Sequence, residues 1–466
     1  MKYKIKKYLP YIILICSLLL TLLIAWPGYM TPDSYTQYSI AKSGLYNDHH
    51  PAIMSFVWHY LDLIYQGSGM MLLLHLLLLY GASAYGINIF NNINNSTKVN
   101  NNFNYISTYF FAIFPLIPIV LIYSCKIWKD VGFAFSFLLT IIMLSNAIGK
   151  RRSLDTKEHI LFWLILFYGT CVKFQAQYSA PIVIAGYIIH HGLLIFDQSK
   201  FKKFKIILSF FLIYSLFYGI FHYTNNLLVP NEQKSNSWEY VKIYDLAAIS
   251  FYSNIMYVPK FLHTKHFSLK IFYKNFNHQA VDDMVFPEDA IFTKTKNKQQ
   301  AKELWKEWAS TIVAHPLIYL KHRFTNFSYI LLLSLPGFHA VKEQLEQKLS
   351  PDLISYKIIY YSAKVIGYVL VGHILMAILS VIYLFLGFIN LKKTWAAFPL
   401  IMFNAVSCSM LFSLFFFSMA GTPRYTYIVA CLTTASHLFA WLCLKSTLKH
   451  LSSTKIKKPR KLLRTY

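Results

Sequence analysis

Charge is scarce in this sequence, and acidic charge scarcer still. Only 14% of the 466 residues are Asp, Glu, Lys or Arg, and 19 acidic residues stand against 45 basic ones. A soluble domain carries about 25% charged residues, so the shortage excludes an ordinary soluble globule. Cysteine is sparse as well: Cys16, Cys125, Cys171, Cys408, Cys431 and Cys443 lie in or at the ends of apolar runs, none in C-x-x-C spacing. That leaves zinc and redox motifs without support and the thiols as small core hydrophobes. There is no internal repeat. The formal net charge of +26 would point to nucleic acid in a soluble chain. Here the basic residues sit in short connectors and the tail, no folded basic module forms, and nucleic acid is not an expected partner.

What fills the sequence is apolar. Hydrophobic residues make up 56%, mean hydropathy is +0.41, and several runs approach the ~20 residues that a bilayer span requires. The expected fold class is an all-α polytopic membrane protein. Ten spans are expected, at 9–26, 68–90, 103–124, 131–149, 158–173, 177–196, 205–226, 364–391, 396–420 and 424–445. Four lysines within residues 2–7 precede the uncharged run Leu9–Trp26. With no clear small-residue cleavage site after it, this run reads as an uncleaved first span.

Orientation follows from basic residues in short loops. Lys2, Lys4, Lys6 and Lys7, then Lys98, Lys150 to Arg152, Lys202 with Lys203, Lys392 with Lys393 and the tail from Lys455 to Arg464 all fall on one side of a ten-span chain. That side is the cytoplasm, with both termini inside. The expected organisation is then an N-terminal membrane region, 1–226, of about seven helices with a first external loop at 27–67. A mainly helical external domain, 227–363, follows, with a segment at 327–338 short enough to be re-entrant or interfacial. C-terminal membrane helices occupy 364–446 and a basic cytoplasmic tail 447–466. The location this implies is a bacterial inner membrane, with membrane lipids around the spans.

On this topology the chemically useful residues gather at external borders. Asp33 follows the first span, and a carboxylate there is an expensive placement unless something uses it. Thr31-Pro32-Asp33-Ser34 also suits a helix N-cap, and the two roles are compatible. His49 and His50 precede Pro51 in the same loop, where they are a turn, a substrate contact or metal ligands. Lys129 and Asp130 open the fourth span, either as an ion pair at a helix start or as a phosphate cation beside a carboxylate for metal or sugar hydroxyls. Lys173 and Gln175 occupy the next external loop, and Asp245 the long one. Arg424 and Tyr425 open the last span. An arginine on the outer side runs against the positive-inside rule, so it anchors in headgroups or holds a phosphate bidentately.

Together these motifs resemble the GT-C superfamily of integral-membrane glycosyltransferases. The resemblance rests on Pro32-Asp33-Ser34-Tyr35 after the first span, His50-Pro51 opening a helix, Trp128-Lys129-Asp130 after span three, a large external region, and Pro423-Arg424-Tyr425 opening a late span. It covers most of the chain in layout, and the nearest likeness is to poorly characterised bacterial members. It implies a polyprenyl-phosphate-linked sugar donor and a cell-envelope acceptor: lipid A, O-antigen, wall polymer or protein. It also implies inverting transfer with Asp33 as base, and Arg424 and Lys129 on the leaving phosphate. A divalent cation, magnesium or manganese, would use Asp33 and Asp130. Many members carry Asp-Glu in the first loop, whereas Ser34 follows Asp33 here, leaving one carboxylate where two would share metal and base duties. A surface-polysaccharide polymerase or ligase, and a lipid-linked glycan transporter without chemistry, are the competing expectations.

Overall fold

The computed structural model describes residues 2–96, 101–195, 199–230, 234, 236–331, 357 and 372–455. Among these the regular structure is helical, with three isolated bridges in place of a sheet. The helices are α1 (Lys2–Ala25), α2 (Pro32–Ser43), α3 (Ala52–Ile64), α4 (Gly69–Ser96), α5 (Asn101–Ile113), α6 (Pro118–Ser124), α7 (Lys129–Gly149), α8 (Thr156–Cys171), α9 (Ala176–Ile195) and α10 (Lys202–Leu228). A mid-chain unit follows: α11 (Glu239–Ser253), α12 (Leu269–Asn275), α13 (Asp282–Val285), α14 (Lys298–Ala314) and α15 (Pro316–Ile330). The last three are α16 (Gly372–Asn390), α17 (Ala397–Phe417) and α18 (Tyr427–Lys455).

Eight of these helices are long and apolar enough to cross a membrane, and a bent pair makes a ninth. That is the make-up of a multi-pass membrane protein. The bent pair is Ile106–Leu116 with Pro118–Ser124, turned by 41°. Pro115 and Pro118 explain the break, since each removes a backbone donor and crowds the preceding turn. The expected span at 158–173 is α8, which has 16 residues and so reaches about 24 Å, short of a ~30 Å hydrocarbon core. Its start is sharply set: the Asp155 side chain accepts from Glu158 N at 2.9 Å, and the Glu158 carboxylate accepts from Asp155 N at 3.0 Å.

α7 is the axle of the bundle. Its apolar length is 94% buried, whereas that of α10 is only 11% buried. α4, α8 and α18 pack on α7, and α16, α17 and α18 pack on one another. A second, smaller apolar core, with Tyr244, Leu262, Phe272, Val281, Phe292 and Leu304, organises the mid-chain unit. α15 joins that unit to the bundle by packing on α17.

Two expected boundaries move. Of the segment 327–338, residues 327–330 are the last turn of α15, and 332–338 lie outside the described residues, as do 364–371 of the eighth expected span. α18 continues to Lys455, so residues 447–455 of the expected tail are helical. All six cysteines are free.

Close helix approach is visible where α8 meets α7. A Cβ at Gly169 would lie 2.5 Å from the Ser136 Cβ, an atom that only backbone movement can displace. Gly169→Ala is therefore expected to destabilise the bundle by about 1–3 kcal/mol, read as a lower melting temperature of the detergent-solubilised protein. Adding Ser136→Gly, which removes the clashing atom, should restore part of the loss.

Candidate functional site

The first loop folds back onto the segment before α7. Tyr29 N donates to Cys125 O at 2.9 Å and Ile127 N donates to Tyr29 O at 3.1 Å. Ser34 Oγ donates to Ile127 O at 2.6 Å, and Trp128 Nε1 donates to Thr31 Oγ1 at 2.7 Å. Thr31, not Asp33, is the N-cap of α2: its backbone N–H donates to Ser34 Oγ at 3.1 Å. Asp33 is the second residue of the helix, with its carboxylate free for another partner. Ser34 thus stitches the helix start to the neighbouring loop.

That partner is Arg424. Its NH2 donates to Asp33 Oδ2 at 2.6 Å, with the two side chains 21% and 31% exposed. The contact spans 391 positions of sequence. Lys129 and Asp130, adjacent in sequence, do not pair with each other. Asp130 forms a salt bridge with Lys173, both nearly fully buried, while Lys129 Nζ lies 2.6 Å from His50 Nδ1. A lysine can only donate there, so Nδ1 accepts and the imidazole proton sits on Nε2. Burial and Lys129 push the His50 pKa down to about 2, which keeps the ring neutral. His49 lies tilted against His50 with ring centroids 4.7 Å apart and meets Phe286 edge-on at 5.9 Å. Burial and Lys129 lower its pKa as well.

Two rings organise the cations. Trp128 carries Lys126 Nζ at 4.4 Å and the Arg424 guanidinium at 5.3 Å. Tyr425 carries Lys173 Nζ at 4.5 Å and Arg424 at 5.4 Å. Four cations, Lys126, Lys129, Lys173 and Arg424, therefore meet two carboxylates, Asp33 and Asp130, with His50 neutral between them. Lys126 is only 6% exposed and makes no salt bridge among the described residues; burial lowers its pKa to about 8. Burial also lowers the Lys173 pKa, against the opposing pull of Asp130. For Asp33, burial works to raise the pKa, but Arg424 and Lys129 outweigh it and hold the carboxyl below its usual value. Arg424 Nε is buried with no hydrogen-bond partner among the described residues.

The donor set does not suit a divalent cation. Each carboxylate is already held by a cation, and no group of three His, Cys, Asp or Glu side chains is placed to hold a metal ion among the described residues. No step below is routed through a metal ion. The arrangement suits an anion: two positive charges remain after pairing, on side chains fixed by aromatic stacking and burial.

Of the residues expected from sequence, Asp33, His49, His50, Lys129, Asp130, Lys173, Arg424 and Tyr425 come together. Gln175 is half-buried in the turn that follows Lys173 and contributes no side-chain hydrogen bond to the cluster. Asp245 lies elsewhere, fully buried in the mid-chain unit against Arg323 and Trp308. Lys126 was the missed member. The reasoning that singled out Arg424, a basic residue at a border away from the basic connectors, applies equally to Lys126. The chain matches no protein-family model, no curated protein and no solved structure.

The lowered Asp33 pKa carries a sign. A carboxyl whose folded pKa is depressed adds stability above its unfolded pKa, about 4, and loses it as pH falls through the folded value. The stability gap between wild type and Asp33→Asn should be full at pH 6 and shrink below about pH 4, measured by thermal unfolding across pH. A gap that grows on acidification contradicts the ion pair.

Proposed function

We propose that this chain is a GT-C-type membrane glycosyltransferase. It moves a sugar from a polyprenyl-phosphate carrier to a cell-envelope acceptor at the outer face of a bacterial inner membrane. The observation that carries the reading is the convergence of Asp33 with four cations at one end of the bundle, two positive charges in excess. A phosphate group that gains charge as it leaves is the ligand such a site stabilises. In this reading the bent pair and the short α8 both count as spans, which gives ten. The mid-chain unit is external, and both termini are cytoplasmic.

The chemistry is a single displacement. The acceptor hydroxyl oxygen attacks the anomeric carbon, the bond from that carbon to the phosphate oxygen breaks, and configuration inverts. Asp33 takes the hydroxyl proton, and the lipid phosphate departs with the bonding pair. In the resting state Arg424 holds Asp33 and makes it a weak base. An arriving phosphate competes for the guanidinium, moves it off Asp33, and so raises the basicity of the carboxylate when a donor is present. Lys126 and Lys129 complete the phosphate cradle, Asp130 orients Lys173, and neutral His50 orients Lys129.

Asp33→Asn keeps the shape and removes the base, and is expected to lower turnover by ~10²-fold or more. Lys126→Ala removes a phosphate contact, so it should raise the KM for the donor and leave acceptor saturation unchanged. The test is mass spectrometry of envelope lipids and glycans from a deletion strain complemented with wild type or either variant at matched protein level. The expected result is loss of one sugar unit in the deletion, restored by wild type and not by Asp33→Asn. An unchanged glycan profile in the deletion overturns the reading and favours transport; full restoration by Asp33→Asn removes Asp33 as the base.

A further inference from the structure

Asp245, drawn by sequence into the binding residues, lies instead in a buried device that leads to Arg424. Asp245 and Arg323 side chains are 0% exposed. Asp245 Oδ2 accepts from Arg323 NH2 at 2.6 Å and from Trp308 Nε1 at 2.8 Å. The other arm of the same guanidinium, NH1, donates to Ser418 O at 2.6 Å. Ser418 caps α17 and begins the short segment that ends at Arg424.

That segment is strapped to the mid-chain unit along its length. Val281 N donates to Met419 O at 3.1 Å, Gly421 N donates to Gln279 O at 2.6 Å, and Ala280 pairs with Ala420 in an antiparallel bridge. Asn326 Nδ2 secures Gln279 O at 2.9 Å. The strap is tight: a Cβ on Gly421 would lie 2.5 Å from Tyr329 Cβ and 3.1 Å from Asn326 O.

Stability alone gives no account of the ion pair. Asp245 Oδ1, Arg323 Nε and both ring nitrogens of His322 are buried without hydrogen-bond partners among the described residues; His322 Nε2 comes no nearer to Asp245 Oδ1 than 3.6 Å, and a partly satisfied buried network is inferior to an apolar core. What a planar guanidinium supplies, and an apolar contact does not, is direction: one edge fixed by a carboxylate sets where the other edge points.

We propose that Arg323, oriented by Asp245 and Trp308, is a positioning residue for Arg424. It holds the Ser418 carbonyl so that 418–421 stays strapped to 279–281 and Arg424, three residues on, reaches Asp33. The mid-chain unit thereby sets the geometry of the cation cluster. The inference rests on the proposed reading only in that Arg424 is taken to bind the phosphate.

The test uses the full-length protein in detergent with sodium pyrophosphate as the anion probe. Wild type should melt higher with the probe, Arg323→Met should lose most of that shift, and Arg323→Lys should keep part of it. An Ala280→Cys/Ala420→Cys pair provides a covalent strap, since antiparallel partners have Cα atoms about 4.5–5.5 Å apart, within disulfide range. With that disulfide confirmed by peptide mass spectrometry, Arg323→Met should regain the shift, which a merely structural role would not predict. A full shift in Arg323→Met, or one lost and not regained through the disulfide, overturns the proposal. Should wild type show no shift, the phosphate reading of the cluster fails and the positioning claim is decided by oxidation kinetics. The cysteine pair should then close roughly tenfold more slowly in Arg323→Met than with Arg323 present, the factor expected for one charge-assisted hydrogen bond, and equal rates overturn it.

Discussion

The ion pair between Asp33 and Arg424 joins a loop after the first apolar helix to the turn that opens the last. Everything at that end of the bundle is arranged around it. Charges in a partly dry pocket act strongly: at an effective dielectric of about 20, unit charges about 6 Å apart interact by roughly 3 kcal/mol. Four cations in such a place repel unless carboxylates or a ligand balance them. Asp33 and Asp130 balance two, one each, and the rings of Trp128 and Tyr425 support the crowd from their faces. Two charges are left over, and the proposed function assigns them to the leaving phosphate.

The surrounding fold serves this balance through contacts distant in sequence. The 26–34 loop is zipped to 125–128 by backbone and side-chain hydrogen bonds, so Asp33 and the start of α7 move as one. α7, buried almost throughout, supplies a rigid base for Lys129 and Asp130. The mid-chain unit grips the segment before Arg424 through Arg323 and the 279–281 pairing. A site assembled from a first loop, a central helix and a last span is thereby held in register by elements that contribute no group to it.

Pairing inside the site follows packing rather than proximity in sequence. Lys129 and Asp130 are neighbours, yet one faces His50 and the other Lys173, because consecutive residues on a helix point some 100° apart. Ser34, which breaks the acidic pair common in the resembling superfamily, has a local use: its hydroxyl accepts from the cap residue of α2 and donates to Ile127. At the start of α2 there is therefore one carboxylate, Asp33, and it is held by Arg424.

The sequence by itself determined the helical, membrane-compatible character of the chain. The length of an uncharged apolar run is a local property, and lipid leaves a helix as the way to satisfy its backbone. It also marked most of the site, because charged residues at apolar borders stand out one at a time: Asp33, Lys129, Asp130, Lys173 and Arg424 were all legible. Tertiary structure alone decided their partners, the recruitment of Lys126, and the fate of Asp245, which faces inward from α11 to Arg323. Those outcomes depend on how segments from 43 to 391 residues apart pack, and no local pattern encodes which buried charge will meet which.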